Sequence, residues 1–239
     1  MRVESLLNPP ILFDRRPARD HDAESALDGY GRAIGLGATG IEGTAWATAD
    51  GIVVLSDRDS VGGALRRRSI ATLRHSSLPG AIPTLDEIYD SLGFEFDVAL
   101  DVANADAAAA VIRVARVLGG ERAVRRLWLI NPEWERLGEW RQEWNDVRLV
   151  NRTRLRSLRR GPERRAAQLA EVGVDAVLLN QSEWTGGLTT LFHRFGRLAF
   201  ACDARYERIL RELTRIGIDG ISSDQVERMV AALPRKDQD

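Results

Sequence analysis

The 239-residue chain is predicted to fold as one closed (β/α)8 barrel, an α/β architecture of the TIM-barrel class. Short runs of β-branched and apolar residues alternate with longer helical patterns, as expected for βα units on a parallel sheet. The number of these units favours a closed barrel over an open sheet. The length is close to the roughly 250 residues typical of such barrels. We therefore expect a single domain over residues 1–239, with its core at about 10–233.

Nine segments are predicted to be strands and eight to be helices. The predicted strands are 10–13, 39–44, 52–55, 96–102, 127–130, 147–150, 176–179, 198–202 and 220–222. The predicted helices are 24–35, 84–92, 105–118, 133–143, 162–172, 185–194, 205–216 and 225–233. Asp50 and Gly51 leave too short a link between strands two and three for a parallel crossover, so these strands should form a hairpin. One of the nine strands must then be additional to the barrel.

The glycines Gly35, Gly37 and Gly40 match the spacing of a dinucleotide-binding loop. That loop requires a strand before it and a helix after it. Here a helix precedes and a strand follows. The glycines are therefore predicted to form a helix C-terminal turn, and no nucleotide cofactor is expected.

Composition argues against several classes of function. The formal net charge of −1 argues against a nucleic-acid-binding protein. The one cysteine, Cys202, excludes an internal disulfide, and the one lysine, Lys236, lies in a polar tail and is a poor candidate for Schiff-base chemistry. There is no apolar run of membrane-spanning length and no signal-peptide pattern. We expect a soluble cytoplasmic protein without a membrane span; the sequence does not specify an oligomeric state.

Three motifs carry a resemblance to a known family. They are Phe13-Asp14-Arg15-Arg16, Ile41-Glu42-Gly43-Thr44, and Ser56-Asp57, which follows an Asp-Gly turn. Together with the Asp219-Gly220 strand start, they resemble the glycerophosphodiester phosphodiesterases, whose motifs read His-Arg-Gly, Glu-x-Asp and His-Asp. The resemblance extends from Ile11 to Asp224 and implies the barrel fold.

The resemblance also implies a set of roles. Family members hold a divalent cation with the Glu and Asp of Glu-x-Asp and a further carboxylate, use two histidines as general acid and base, and steady phosphate with lysine and arginine. The positions that match or take a family place are Arg15, Glu24, Glu42, Asp57 and Asp101. The departures are Asp14 and Ser56 at the two histidines, Thr44 at the metal aspartate, Ala103 at the lysine and Arg16 at the glycine.

These departures have chemical consequences. A hard cation prefers several oxygen ligands, so Glu42 and Asp101 alone predict a weak Mg²⁺ or Ca²⁺ site, or none. General acid–base assistance contributes on the order of 10²–10⁴-fold, and both histidines that would supply it are replaced. We therefore do not expect the ordinary phosphodiester hydrolysis of the family.

The leading hypothesis is a repurposed enzyme that acts on a small polar or anionic substrate. Crowded carboxylates raise one another's pKa and can act as acid and base; the candidates are Asp14, Glu42, Asp57 and Asp101. Arg15 would orient the substrate, and the other predicted substrate contacts are Thr44, Trp46, Ser56 and Phe200. The competing interpretation is that these acids form salt bridges with Arg15 and Arg16. The alternatives in function are an inactive ligand- or partner-binding pseudoenzyme and a slow metal-dependent phosphodiesterase.

A run of arginines between Arg152 and Arg165 follows a predicted strand. Its position predicts that it lies near the top face of the barrel. It could bind an anion through bidentate contacts, but a solvated loop and helix start is the simpler interpretation.

Overall fold

The computed structural model describes residues 3–15, 26–62, 67–102 and 106–233. The strands are β1 Ile11–Asp14, β2 Gly40–Ala47, β3 Val53–Leu55, β4 Ser60–Val61, β5 Arg68–Ser69, β6 Asp97–Val102, β7 Leu127–Asn131, β8 Arg148–Arg152, β9 Ala176–Asn180, β10 Leu198–Cys202 and β11 Gly220–Ser223. The helices are α1 Ala26–Gly35, α2 Leu85–Leu92, α3 Ala107–Arg125, α4 Trp134–Glu143, α5 Gly161–Glu171, α6 Gly186–Arg194, α7 Glu207–Arg215 and α8 Val226–Ala232.

Eight parallel strands close into a ring. Their order is β1, β2, β6, β7, β8, β9, β10 and β11, and β11 pairs again with β1. Strand β3 pairs antiparallel with β2 outside the ring, with Ala45 opposite Leu55. The predicted (β/α)8 barrel and the predicted additional hairpin strand are both confirmed.

The apolar residues form two separate layers. The larger layer packs the outer face of the strands against the helices and includes Leu12, Ile41, Leu100 and Val177. The smaller layer fills the barrel itself. It consists of Phe13, Ala99, Trp128, Ile130, Val150, Ala176, Leu178, Phe200 and Cys202. Because successive strand residues face opposite sides, membership in one layer fixes which way the neighbouring residues point.

Capping residues and glycines set the ends of several helices. The Thr84 hydroxyl accepts from the Glu87 amide, and the Glu87 carboxylate accepts from the Thr84 amide, which forms a capping box at the start of α2. Helix α1 ends at Gly35, and Gly37 has a φ of 107°, so the glycines form the predicted helix-end turn. Helix α3 continues past the predicted end at 118, but Gly120 interrupts it with a φ of 57°.

Strand ends were predicted too early at the top of the barrel. Strands β1, β2, β7, β8, β9 and β11 each run one to three residues past the predicted end. The extra residues include polar ones such as Asn131, Arg152 and Asn180, which interrupt the apolar run but still join the backbone ladder. The small β4–β5 sheet was not predicted. None of the helices in the described ranges has the length and apolarity required to cross a bilayer.

The bottom of the barrel is held by one buried carboxylate. Asp219 is 0 % exposed and lies directly before β11. Its oxygens accept hydrogen bonds from the Ser5 hydroxyl at 2.7 Å, the Leu6 amide at 2.6 Å and the Ala199 amide at 2.7 Å. One oxygen also lies 2.7 Å from Nε2 of His193. Asp219, predicted only to begin a strand, thus joins the N-terminal segment to β10 and α6.

Candidate functional site at the barrel mouth

The pairing register determines which polar side chains face the barrel axis. Glu42 lies opposite Ala99 and Thr44 lies opposite Asp101 on neighbouring strands. Ala99 belongs to the interior layer, so Glu42, Thr44 and Asp101 face inward by alternation. On β8, Arg152 is two residues beyond the interior Val150 and also faces inward. The C-terminal ends of these strands form the mouth of the barrel, where enzymes of this architecture place their active sites.

An arginine lies between the two inward carboxylates. In Arg152, Nη2 donates to Oε1 of Glu42 at 2.7 Å, and Nη1 lies 2.6 Å from Oδ2 of Asp101. Glu42 is 2 % exposed, and the side chains of Asp101 and Arg152 are 20 % and 28 % exposed. Burial opposes the charge on Arg152, but Glu42 and Asp101 outweigh it and raise the pKa of the guanidinium. The three side chains therefore form a charged cluster in which the arginine stays protonated.

Arg15, directly after β1, adds a second guanidinium. Its Nε lies 3.4 Å from Oε1 of Glu42, and its Nη1 lies 3.6 Å from Oδ1 of Asp203. Asp203 follows β10 with a φ of 64°, and its other oxygen accepts from the side-chain amide of Asn180 at 2.9 Å. Of the four predicted acids, Glu42 forms the predicted pair with Arg15, while Arg16 and Glu24 lie outside the described residues.

Burial changes the pKa values of two groups in this cluster. Desolvation raises the pKa of Asp101 to about 6, although Arg152 acts in the opposite direction. Desolvation, with a further contribution from Asp203, raises the pKa of the Cys202 thiol to about 12. Since the thiolate is the nucleophilic form, Cys202 is not suited to nucleophilic catalysis. Asp101 can exchange a proton near neutral pH.

The pKa of Asp101 predicts a specific pH dependence of stability. An aspartate in an unfolded chain has a pKa of about 3.9, so between about pH 4 and pH 6 the folded protein keeps a proton that the unfolded chain has lost. The stability that Asp101 contributes is therefore full below pH 4 and is lost as the pH rises through about 6, with a total change of up to about 3 kcal/mol.

Unfolding by urea at several pH values would test this prediction. The free energy of unfolding of the wild-type protein minus that of Asp101→Asn should decrease from pH 4 to pH 7. A difference that does not vary with pH would show that Asp101 titrates normally.

Asp14 is not brought into this cluster. It lies opposite Ile41 on β2 and Ser223 on β11. Ile41 belongs to the outer layer, and the neighbouring Phe13 belongs to the interior one. Alternation therefore directs the fully buried Asp14 toward the helices, away from Glu42. The prediction that Asp14 shares one mouth with the other acids is corrected on this geometry.

The residues around β3 take mainly structural positions. The Ser56 hydroxyl donates to the Arg58 carbonyl at 3.0 Å and accepts from the Arg58 amide at 3.2 Å, so it closes its own turn. Trp46 donates its indole N–H to the Ser56 carbonyl at 2.9 Å. Asp57 is exposed, and its charge helps to raise the pKa of Asp101. Asp57 thus lies close enough to the mouth for its charge to act on Asp101. Thr44 lies at the mouth because it is opposite Asp101 in the strand register.

Phe200 lies below the mouth instead of on a surface that a substrate would contact. It is 3 % exposed, and its ring centroid lies 5.7 Å from that of Phe13 and 5.0 Å from that of Trp128. The small cavity beside these rings leaves about 10 Å³ for the centres of water molecules, enough for about one water. The prediction of Phe200 as a substrate contact is corrected, because its ring is buried within this aromatic layer.

Glu42 and Asp101 are the predicted ligands of a divalent cation. Glu42 and Asp101 supply oxygens, but Arg152 already binds one oxygen of each. Thr44, which the resemblance predicts at the place of the metal aspartate, has no carboxylate. Within the four described ranges, no group of three or more His, Cys, Asp and Glu side chains is arranged to hold a metal ion. As arranged, these residues do not fit the cation.

The arginine run divides into two parts. Its ends are structural, since Arg152 binds the carboxylates and Arg165 donates to Oδ1 of Asn151 at 3.0 Å while lying over Trp134. The middle arginines are exposed to solvent. They are Arg154, Arg156, Arg159, Arg160 and Arg164.

Two residues of the site, Arg152 and Asp203, are not among the predicted catalytic, substrate-binding or metal-binding residues, although Asp203 is predicted to lie at a strand end. Arg152 was assigned to a loop because the predicted strand ended at Val150. The alternation of Arg148, Val150 and Arg152 along one face was a signal that could have identified it. Asp203 follows a predicted strand end, but nothing in the sequence links it to Arg15.

Known structures share this architecture. A glycerophosphodiester phosphodiesterase from Thermotoga maritima superposes with a TM-score of 0.77 at 19% identity, covering 94% of this chain and 98% of that one. A phosphodiesterase from Oleispira antarctica, in complex with the product sn-glycerol-3-phosphate, gives 0.77 at 16% identity over 93% and 96%. A glycerophosphodiester phosphodiesterase from Agrobacterium tumefaciens gives 0.74 at 16% over 93% and 99%. No protein-family model and no curated protein matches the sequence.

The likeness spans nearly the full length of each chain. It confirms, at the level of the fold, the resemblance that the motifs around Arg15, Glu42 and Asp57 predicted. The chain is therefore a (β/α)8 barrel with the fold of the glycerophosphodiester phosphodiesterases.

Proposed function

We propose that the chain is a divergent relative of the glycerophosphodiester phosphodiesterases whose barrel mouth carries out acid–base chemistry on a small polar or anionic substrate. The observation that carries this proposal is the position of Asp101. Its carboxylate is inward-facing, 20 % exposed and 2.6 Å from Arg152 at the strand ends. A general acid or base works best when its pKa is near the working pH, and the pKa of Asp101 is about 6.

Arg15 is the proposed substrate-orienting residue. Its side chain is 36 % exposed, and its ion pairs with Glu42 and Asp203 are long, at 3.4 Å and 3.6 Å. A guanidinium held in this way can turn N–H groups toward a carboxylate or phosphate. The sn-glycerol-3-phosphate in the Oleispira antarctica phosphodiesterase supports a small anion as the ligand class.

Ordinary phosphodiester hydrolysis fits the geometry poorly. The residues at the two histidine positions are Asp14 and Ser56. Asp14 faces the helices, and the Ser56 hydroxyl closes a turn. Neither is placed to move a proton to or from a ligand at the mouth.

A pseudoenzyme is the second candidate, favoured by a different observation. Glu42, the acid beside Asp101 that could act as its partner in proton transfer, is bound by Arg152 at 2.7 Å and approached by Arg15 at 3.4 Å. With Oε1 held by these two guanidinium groups, the carboxylate is not free to approach a substrate proton. The same mouth would then bind a ligand without turnover. A slow metal-dependent phosphodiesterase, the third candidate, requires a cation to displace Arg152.

A binding and turnover screen with variants tests the proposal. The purified full chain is offered small phosphate- and carboxylate-bearing compounds, glycerophosphocholine included, with turnover followed by NMR and binding by calorimetry. For a compound that is turned over, Asp101→Asn should lower kcat by at least about 10²-fold, and Arg15→Ala should weaken binding by about 10-fold or more. The exposed Asp90→Asn and Arg154→Ala serve as matched controls and should change neither value.

The outcomes separate the three candidates. Full turnover by Asp101→Asn would reject the acid–base proposal. Binding that depends on Arg15 with no turnover of any compound would support the pseudoenzyme. Cation-dependent cleavage of glycerophosphocholine by the wild-type protein, even at a low rate, would support the phosphodiesterase.

A further inference from the structure

Two arginines match the charge of the two inward carboxylates without an added ion; one of them, Arg15, also lies 3.6 Å from the more exposed Asp203. Glu42 and Asp101 contribute two negative charges, and Arg15 and Arg152 contribute two positive charges within 2.6–3.4 Å of them. Buried carboxylates are tolerated when a partner compensates their charge. A divalent cation would supply the same total charge to the same two acids.

The contacts of Arg152 occupy the oxygens that a cation would need. Its two terminal nitrogens hold Oε1 of Glu42 and Oδ2 of Asp101 at 2.7 Å and 2.6 Å. Mg²⁺ and Ca²⁺ bind oxygen at about 2.0–2.6 Å. A cation on the same two oxygens would therefore lie against the guanidinium, which does not lose its proton in proteins. Electrostatic repulsion and steric overlap would both prevent a cation from binding these oxygens while Arg152 holds them.

The three side chains come from three strands of the barrel, which hold them in fixed positions. Glu42 and Asp101 come from the adjacent strands β2 and β6, whereas Arg152 crosses from β8, with β7 between. Arg152 is part of the β8–β9 ladder, opposite Leu178. A residue anchored in a strand presents its side chain with less freedom than one in a loop.

We propose that Arg152 takes the place of a divalent cation at this barrel mouth, and that the wild-type protein consequently does not bind Mg²⁺ or Ca²⁺ there. Thr44, predicted at the place of the family's metal aspartate, carries no carboxylate, in agreement with this exchange. This replacement of the cation by Arg152 does not depend on whether the mouth catalyses a reaction or only binds a ligand.

Removing the arginine and restoring the third acid should create a cation site. In Thr44→Asp with Arg152→Met, Asp at 44 would lie opposite Asp101 and two residues from Glu42, so three carboxylates would face one space. Methionine keeps much of the arginine stem without its charge. Calcium chloride should then raise Tm saturably, by about 5–10 °C at a free concentration 100-fold above Kd.

Matched measurements assign the effect to Arg152. Sodium chloride at equal ionic strength controls for screening. Wild-type protein should show no saturable Tm shift and no 1:1 binding heat with calcium or magnesium chloride. Thr44→Asp alone, which keeps Arg152, should bind calcium at least 10-fold more weakly than the double variant. Adding Glu42→Gln to the double variant should remove the calcium-dependent shift.

Two results would overturn the proposal. The first is 1:1 calcium or magnesium binding by the wild-type protein that Glu42→Gln or Asp101→Asn abolishes. The second is a folded double variant that binds no calcium. If the double variant folds only when calcium is present, circular dichroism during a calcium titration reports the same site, and the wild-type titration still tests the proposal without any variant.

Discussion

Arg152→Ala is expected to lower the free energy of unfolding by about 3–5 kcal/mol at pH 7, because it leaves buried charges without their partner. Asp101 loses the guanidinium at 2.6 Å, and Glu42 keeps only the longer contact with Arg15 at 3.4 Å. Glu42 is 2 % exposed, so little water reaches its carboxylate in the folded protein. Domain stabilities are about 5–15 kcal/mol, so a large share would be lost.

Urea unfolding would measure this loss, and three comparisons identify its cause. Arg152→Met retains apolar packing but no charge, so it should be about as destabilised as Arg152→Ala. Arg154→Ala, an exposed neighbour, should stay within about 0.5 kcal/mol of the wild type. At pH 5 the deficit of Arg152→Ala should shrink, because Asp101, whose pKa burial raises to about 6, takes up a proton and no longer needs the charge of Arg152. A loss of stability below about 1 kcal/mol in Arg152→Ala would contradict the charge-pairing account. Wild-type stability in Arg152→Met would contradict it as well.

Asp219→Ala is expected to destabilise the protein by a similar amount, about 3–5 kcal/mol. The carboxylate is 0 % exposed and accepts from the amides of Leu6 and Ala199 and from the Ser5 hydroxyl. Without it, buried donors at the bottom of the barrel lose their acceptor, and each costs about 1–3 kcal/mol. The contact with His193 at 2.7 Å is lost as well.

Unfolding and amide exchange together test the Asp219 prediction. The variant should unfold at lower urea concentration, and the Leu6 and Ala199 amides should exchange faster with solvent than in the wild type. Asp90→Ala, on the exposed face of α2, is the matched control and should change stability by less than about 0.5 kcal/mol. Unchanged exchange at Leu6 and Ala199 would show that the carboxylate does not hold the N-terminal segment.

The sequence and the structure agree best where the signal is local. The hairpin at Asp50 and Gly51 follows from the length of a link, and the capping box of Thr84 and Glu87 follows from two residues three positions apart. The helix-end turn at Gly35 and Gly37 follows from the order of elements, because a helix precedes these glycines and a strand follows them. Such features depend on backbone geometry over a few residues, so they can be inferred without knowing what lies across the fold.

The candidate site was predicted in part. The acids Glu42 and Asp101 were assigned to one mouth correctly, because the C-terminal ends of parallel strands meet at the same face. Asp14 and Phe200 were assigned to it incorrectly. Both lie at or near strand ends, but alternation turns Asp14 to the outer face, and Phe200 lies one layer too deep to contact a substrate.

The barrel, its additional hairpin strand and the acids Glu42 and Asp101 at its mouth could be inferred from the sequence, because alternation and turn chemistry operate between near neighbours in the chain. The partners of those acids depend on contacts that form only in the folded barrel. The pair between Arg152 and Glu42 joins residues 110 positions apart, and a pattern along one strand carries no information about a partner across the barrel. Closure of the ring brought the guanidinium between the two carboxylates, and with it the charge balance on which both the proposed chemistry and the proposed loss of the cation depend.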